Sequence, residues 1–215
     1  MEMKIAWTLI LGLALLGAGC SKNDNPTGPG DPGTPVLLKI YVNPSNGSDG
    51  NAGTESAPFR TIRKALGVAH SGQRVELQAG TYDAAADQAY PDTIPNGVTV
   101  EAVSAGLAVL VGTGQVAFVA SGNDTILYLS FRGFQTIFQS GSGNHVAKSL
   151  IAVDVGYAFD LSRSAQAEAT GCSLTNSGAA TITDIAELNM NASTISGPPA
   201  NNCFFFVQKA ASLLI

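Results

Sequence analysis

Hydrophobic and polar positions alternate over short stretches of this chain, and a helical spacing of apolar residues stands out in one place. Residues 37–42 alternate and are rich in β-forming side chains, so they predict a first strand. Pro58 predicts the start of a short helix, because a proline at the first helical position loses no hydrogen bond. The apolar face of that helix is Phe59, Ile62, Leu66 and Ala69, and Arg60, Arg63 and Lys64 lie away from it.

Further along the chain, apolar pairs recur with a period of about 21 residues, which is the length of one solenoid turn. The members of each pair are two residues apart, so both face the same side of a strand, and we assign that side to the interior. A second strand in each turn is predicted at Ile137, Phe159 and Ile182. The aligned pairs are Leu129/Phe131, Ile151/Val153, Cys172/Leu174 and Ser193/Ile195.

Residues 38–103 contain several runs that resemble the uncharacterised bacterial domain found at the start of pectate-lyase-like β-helix proteins. The resemblance implies an all-β fold, a single-stranded right-handed parallel β-helix with a short N-terminal capping helix that covers its open end. It implies no assigned chemistry. The runs are Asn46-Gly47-Ser48-Asp49-Gly50 after Tyr41, then Ala57-Pro58-Phe59-Arg60, Ala79-Gly80-Thr81-Tyr82, and Tyr90-Pro91-Asp92 with Gly97-Val98-Thr99.

The repeat and the resemblance together predict one folded domain over residues 36–215. Its N-terminal cap and first rungs occupy residues 36–103, and further rungs occupy residues 104–215. The chain ends in apolar residues, whereas a solenoid needs a polar or covered last repeat. Two alternatives follow: the last segment folds over the open end, or the domain is truncated and later rungs are missing.

The first 20 residues have the layout of a secretory signal: Lys4, an apolar run over residues 5–16, and small residues before Cys20. This layout resembles a bacterial lipoprotein signal, which implies a signal peptide over residues 1–19 and lipidation of Cys20. Gly17 stands where that pattern has leucine. The alternatives are an ordinary cleaved signal or an anchoring helix, although the run is shorter than the roughly 20 residues that span a bilayer. Ser21 after the cysteine resembles the pattern for the bacterial outer membrane.

Residues 20–35 are rich in Asn, Gly, Pro, Asp and Ser, and this composition predicts a flexible tether. The sequence predicts a protein held at the outer membrane or cell surface, with the membrane as a partner through the lipid on Cys20. The formal net charge of −5 with dispersed Lys and Arg argues against nucleic acid as a partner. A polysaccharide or an envelope protein remains as a possible ligand.

Two polar residues of neighbouring rungs, Arg132 and Asp154, are candidate catalytic residues. The predicted register places both on the outside, close enough to pair across a strand spacing of about 4.8 Å. One interpretation is a surface ion pair worth under about 1 kcal/mol. The other follows from the resemblance to pectate lyases, which implies a catalytic arginine at Arg132 and a calcium ligand at Asp154.

The loop over residues 46–51 is rich in oxygen atoms and is a candidate Ca²⁺ site through Asn46, Ser48, Asp49 and Asn51. The alternative is a turn whose side chains bond to their own backbone, which is favoured because Asp49 is the one carboxylate. The sequence requires no other cofactor. His145 follows a Gly-Asn pair, which predicts a solvated position in a turn.

Cys172 occupies an inward position and is expected to be a small core residue. A disulfide with Cys203 is allowed in an oxidising compartment, but a separation of 31 residues does not match the repeat.

Three functions remain open. The primary one is a non-enzymatic scaffold or a carbohydrate-binding or partner-binding surface. The alternatives are a lyase or hydrolase of uronic-acid polymers, for which the paired aspartates of a hydrolase are missing, and an adhesive or structural envelope protein.

Overall fold

The computed structural model describes residues 38–120 and 122–197, and the backbone of two further strands at 205–207 and 212–214. Two short helices are found there: α1 (Ile62–Val68) and a 3-10 helix (Ala84–Ala86). The strands are β1 Lys39–Val42, β2 Arg74–Leu77, β3 Gly80–Tyr82, β4 Asp92–Ile94, β5 Thr99–Ala102, β6 Ala108–Val111, β7 Val116–Ala120, β8 Asp124–Leu127, β9 Ser130–Arg132, β10 Thr136–Ser140, β11 Asn144–Lys148, β12 Ile151–Val153, β13 Tyr157–Leu161, β14 Gln166–Thr170, β15 Ser173–Thr175, β16 Gly178–Ile182, β17 Glu187–Asn191, β18 Thr194–Ser196, β19 Phe205–Val207 and β20 Ser212–Leu214.

The strands form three parallel sheets that run the length of the domain. Sheet A has the order β1-β2-β5-β8-β11-β14-β17-β20, sheet B the order β3-β6-β9-β12-β15-β18, and sheet C the order β4-β7-β10-β13-β16-β19. Each rung therefore contributes one strand to each sheet, and rungs 1 to 6 begin at β2, β5, β8, β11, β14 and β17. The predicted fold class is confirmed: the chain is an all-β solenoid of about six turns with little helix.

The core is a set of columns in which one inward residue stacks on the equivalent residue of the next rung. This arrangement follows from the period of two along a strand, which turns alternate side chains to the interior. All of the stacked residues in the central column of sheet A are buried. That column is Ile40, Val75, Val100, Ile126, Ala147, Ala169 and Met190.

Sheets B and C contribute the aromatic part of the core. In sheet C, Phe118, Phe138 and Phe159 stack in register on neighbouring rungs and are at most 1% exposed. In sheet B, Tyr82 is fully buried, and its hydroxyl donates hydrogen bonds to the carbonyl oxygens of Val42 and Gln78. The aromatic rings thus fill the interior from two sides.

The helix α1 begins later than the sequence predicted. Pro58 precedes it by four residues, and the N-cap is Thr61, whose hydroxyl accepts a hydrogen bond from the backbone N–H of Lys64. The position of the threonine, and not that of the proline, sets the start of the helix, because the threonine oxygen satisfies one of the free N–H groups there. The apolar face is confirmed, since Phe59, Ile62, Leu66 and Ala69 are all buried. The helix packs against β1, β2 and β4 of the first rungs.

One of the predicted repeat pairs is wrong by one residue. Phe131 stacks on Ala152 and then on Leu174, so Ile151 and Val153 face outward. The steps between these stacked residues are 21 and 22 residues long, and a slip of one residue exchanges the two faces of a strand. The second predicted strand shows the same error, because the residue opposite Phe159 on the preceding rung is Phe138 and not Ile137. Ile137 is nevertheless buried.

No helix in the described part of the chain is long and apolar enough to cross a membrane. The predicted signal, Cys20 and the tether up to residue 35 lie outside the described residues, as does Cys203. Cys172, which the sequence predicts as a small core residue, is a buried free thiol.

Candidate functional site

The outer face of sheet A has a polar depression of about 350 Å³ over rungs 4 to 6. The strands β11, β14 and β17 form it, and their side chains alternate between an outward row, polar except for Val146, and an inward row, apolar except for His145. The outward residues that line it are Asn144, Val146, Gln166, Glu168, Glu187 and Asn189, and the buried residues His145, Ala167 and Leu188 border it between them.

The lining of this depression combines amides with carboxylates. Gln166 donates a hydrogen bond of 3.2 Å to Glu187, the residue opposite it on the next strand. Glu168 and Glu187 are exposed, and no lysine or arginine is among the residues that line the depression. The site therefore presents hydrogen-bond donors and acceptors with a net negative charge, over a lining surface that is largely apolar.

At the N-terminal end of sheet A, on β1 and on rungs 1 and 2, the same outer face is covered by ion pairs. Lys39 Nζ lies 2.6 Å from Glu76 Oε2 and 3.7 Å from Glu101 Oε1, and the guanidinium of Arg74 donates to both oxygens of Glu101. Hydrogen bonds to Glu76 and Glu101 raise the pKa of Lys39 and of Arg74, respectively. These charges are already paired, so the open part of the face is the polar depression of rungs 4 to 6.

Arg132 and Asp154 do not form the predicted pair. The register places Arg132 opposite Val153, while Asp154 follows β12 in a turn and accepts a hydrogen bond of 3.1 Å from Asn176 Nδ2. Among the described residues, no hydrogen bond or ion pair joins Arg132 to Asp154. The prediction failed because the repeat alignment was displaced by one residue at β12.

The backbone accounts for the acidic residue at position 154. Asp154 has a φ of 53° and stacks with Gly133, Asn176 and Gly197, whose φ values are 71°, 51° and 75°. Glycine, asparagine and aspartate are the residues that enter this left-handed region at least cost. The catalytic roles proposed for Arg132 and Asp154 stay predictions.

The side chains of the loop over residues 46–51 bond to the protein itself. Asp49 Oδ1 accepts from the backbone N–H groups of Arg60 and Thr61, and Oδ2 accepts from the Thr61 hydroxyl at 2.7 Å. Asn51 Nδ2 donates to the carbonyl of Pro58, and Ser48 Oγ accepts from Gly50 N–H. These contacts fix the entrance of α1, and Ca²⁺ binding by Asn46, Ser48, Asp49 and Asn51 stays a prediction.

Within the described residues, no group of three or more His, Cys, Asp or Glu side chains is arranged to hold a metal ion. A cation at Asp49 Oδ1 would compete with the two backbone N–H groups that already donate to this oxygen.

Residues 45–197 match the protein family described as "Protein of unknown function (DUF1565)". The chain belongs to this family. No curated protein and no solved structure matches the chain. The matched residues include the loop over 46–51, the helix α1 and all three strands that form the polar depression.

Sequence reasoning did not select the residues of the polar depression in this DUF1565 chain. A signal for them exists, because Asn144, Gln166 and Glu187 are equivalent positions of successive rungs. These three polar residues recur with the same period as the apolar pairs, but they occupy outward positions of the strands. A search for the period among polar residues would have found them.

The prediction that His145 is solvated is wrong. His145 lies in β11, is 3% exposed, and its ring packs 4.8 Å from the ring of Phe138. Its inward direction follows from the alternation of β11, in which Asn144 and Val146 point outward. The bend that precedes the strand ends at Gly143, so Asn144 and His145 both belong to the strand.

A buried carboxylate near α1 predicts a pH-dependent stability for this family member. Asp92 is 2% exposed, its Oδ1 accepts from Arg63 Nε at 3.1 Å, and its Oδ2 has no hydrogen-bond partner. Burial raises the pKa of Asp92 to about 6, against the lowering effect of Arg63. The native state therefore keeps a proton that the unfolded chain releases near pH 4.

We expect the wild type to lose about 2 kcal/mol of unfolding free energy between pH 4.5 and pH 7 relative to Asp92→Asn. The sign follows from linkage: where the native state binds more protons than the unfolded state, stability falls as the pH rises. Urea unfolding of both proteins at several pH values measures this difference. Parallel stability curves for the two proteins would contradict the raised pKa of Asp92.

Proposed function

We propose that this chain is a surface-anchored, non-enzymatic β-helix domain that binds an uncharged polysaccharide along the outer face of sheet A. The observation that carries the proposal is the polar depression over β11, β14 and β17. Anchoring through a lipid on Cys20 is part of the proposal and is supported by the sequence pattern of residues 1–20.

The chemistry of the lining favours a saccharide. Sugar hydroxyls both donate and accept hydrogen bonds, and the amides of Asn144, Gln166 and Asn189 supply both functions. Glu168 and Glu187 add strong acceptors for hydroxyl donors. Val146 is half-buried between them and offers an apolar contact for the C–H face of a sugar ring.

The geometry of the lining favours a polymer over a single sugar. Parallel strands repeat the same outward position about every 4.8 Å, so equivalent groups recur along the axis of the solenoid. A chain of repeating sugar units laid across the strands meets the same type of contact on each rung. The depression is open along β11, β14 and β17, which suits an extended ligand.

The charge of the lining favours an uncharged polymer. Uronic acids carry a carboxylate on each unit, and Glu168 and Glu187 would repel them at close range. The net charge of −5 acts in the same direction at longer range. We therefore expect neutral glucans, mannans or galactans to bind in preference to polygalacturonate.

The test is a binding isotherm for a panel of neutral and acidic polysaccharides, with Gln166→Ala/Asn189→Ala and Gln139→Ala as matched variants. Gln139 is a glutamine on the outer face of sheet C, paired with Asp160, so its loss controls for general effects. Each lost hydrogen bond is worth about 1 kcal/mol, so the double variant should bind at least about tenfold more weakly.

Three results would count against the proposal. They are no saturable binding of any neutral polymer, equal weakening in Gln139→Ala, and tighter binding of polygalacturonate than of neutral chains. Release of unsaturated or reducing-end products, lost in Arg132→Ala, would favour a catalytic function instead. Attachment defects of cells that lack the protein, without any soluble ligand, would favour the adhesive alternative.

A further inference from the structure

A polar pair interrupts one of the apolar columns inside the β-helix. Asp124 and His145 are opposite residues of β8 and β11, and both point into the core, at 5% and 3% exposure. In the same column, Ala167 and Leu188 follow on rungs 5 and 6, and Val98 precedes β5 on rung 2. An aspartate and a histidine in such a column need a compensating interaction, because an unpaired buried charge is very costly.

Both ring nitrogens of His145 face oxygen atoms. Nδ1 lies 3.1 Å from Asp124 Oδ2, and Nε2 lies 3.0 Å from the carbonyl oxygen of Ser142. A carbonyl oxygen can only accept, so Nε2 carries a hydrogen and donates to Ser142. The contact between Nδ1 and Oδ2 then requires a second hydrogen, held by either atom.

We propose that Asp124 and His145 share one proton inside the β-helix and that loss of this proton at alkaline pH destabilises rungs 3 and 4. The count of protons is the same whether the pair is imidazolium with carboxylate or imidazole with carboxylic acid. In both states the pair has no net charge, as its apolar surroundings require. The other oxygen, Asp124 Oδ1, is buried without a hydrogen-bond partner, which favours the neutral carboxylic acid.

The described residues in contact with Asp124 and His145 carry no other titratable side chain that could take the shared proton. Its contacts are the ring of Phe138 on β10, the backbone of Ser142, the Val98 position before β5 and Ala167 on β14. Lys148 and Glu168, on β11 and β14, are exposed on the outer face. Burial raises the pKa of Asp124, and the interaction with His145 lowers it in part. Among the described residues, no other titratable group contributes to that shift.

The sign of the pH effect follows from the proton count. An unfolded chain has an aspartate that titrates near pH 3.9 and a histidine that titrates near pH 6.5. Between these values the unfolded pair also holds one proton, so the contribution to stability is flat. Above about pH 6.5 the unfolded state holds none, and the equilibrium constant for unfolding rises up to tenfold per pH unit until the native pair loses its own proton.

The experiment compares the full-length wild type with Asp124→Val/His145→Leu, which continues the apolar column. Replacement of a buried polar pair by apolar residues of similar size is tolerated, whereas removal of one partner is not. Urea unfolding from pH 4.5 to pH 9 gives the ratio of the two unfolding constants. We expect that ratio to be constant below about pH 6 and to rise close to tenfold per unit above pH 7. Other groups, Asp92 among them, affect both proteins equally.

A second measurement needs the wild type alone. The ¹⁵N resonances of the His145 ring should show that Nε2 carries the hydrogen that it donates to Ser142. An Nε2 without a hydrogen in the native protein, or a wild type whose stability runs parallel to that of the double variant up to pH 9, would overturn the proposal. Loss of saccharide binding would leave it unaffected. His145 borders the depression, but the hydrogen that it shares with Asp124 lies between two inward-pointing side chains.

Discussion

Replacement of Phe138 by alanine is expected to lower the free energy of unfolding by about 3–5 kcal/mol. Phe138 is 1% exposed and stacks in register between Phe118 and Phe159, with its ring 6.4 Å from that of Phe159. It also covers the ring of His145. The truncation leaves a cavity at the centre of rungs 3 and 4 and exposes a buried polar pair to it.

The matched control for Phe138→Ala is Ile185→Ala, a truncation of a large apolar residue that is 63% exposed. It should change the unfolding free energy by less than about 0.5 kcal/mol. Urea unfolding followed by circular dichroism measures both variants. A loss of under about 1 kcal/mol for Phe138→Ala would mean that the ring is not packed as described.

Replacement of Gly143 by alanine is expected to cost about 3 kcal/mol or more, since overpacking and left-handed backbone strain add. The φ of Gly143 is 96°, and a Cβ placed there would lie 2.6 Å from the carbonyl carbon of Gly122 on the preceding rung. Neither backbone can move aside without breaking the ladder between β8 and β11.

Gly114→Ala separates the two causes of that loss. Gly114 has nearly the same φ, 93°, but a Cβ there meets nothing within 4 Å. The Gly114→Ala variant should therefore lose only the free energy that a left-handed backbone costs alanine, about 1 to 2 kcal/mol. Equal losses in thermal or urea unfolding would show that contact between the rungs at Gly143 does not matter.

Local signals in the sequence predict the fold. They do not predict the direction of a side chain where a shift of one residue exchanges the inner and outer faces of a strand. Alternating strands and a repeat of about 21 residues are visible in single segments. The inward position of Ala152 is not, because alanine has no strong preference and its neighbours Ile151 and Val153 are both apolar. The predicted position of His145 is wrong for a related reason, since the predicted turn includes Asn144 and His145, the first two residues of β11.

The candidate site was less predictable than the fold. Asp49 attracted attention as an oxygen-rich loop residue, yet its partners Arg60 and Thr61 are eleven and twelve residues away in sequence. Asn144, Gln166 and Glu187 lie on three different rungs and come together only through the strand register. Residue types that are common on any protein surface become a site through that register alone.

The register of sheet A also determines how the length of the ligand-binding surface can change. Each rung repeats the same outward positions, so a duplication of one whole rung would add one strand to the polar depression and keep every column in place. A single inserted residue within β14 would instead turn its core alanines outward. The length of ligand that such a surface accommodates is therefore a matter of copy number, and it can grow in steps of about 4.8 Å without a new fold.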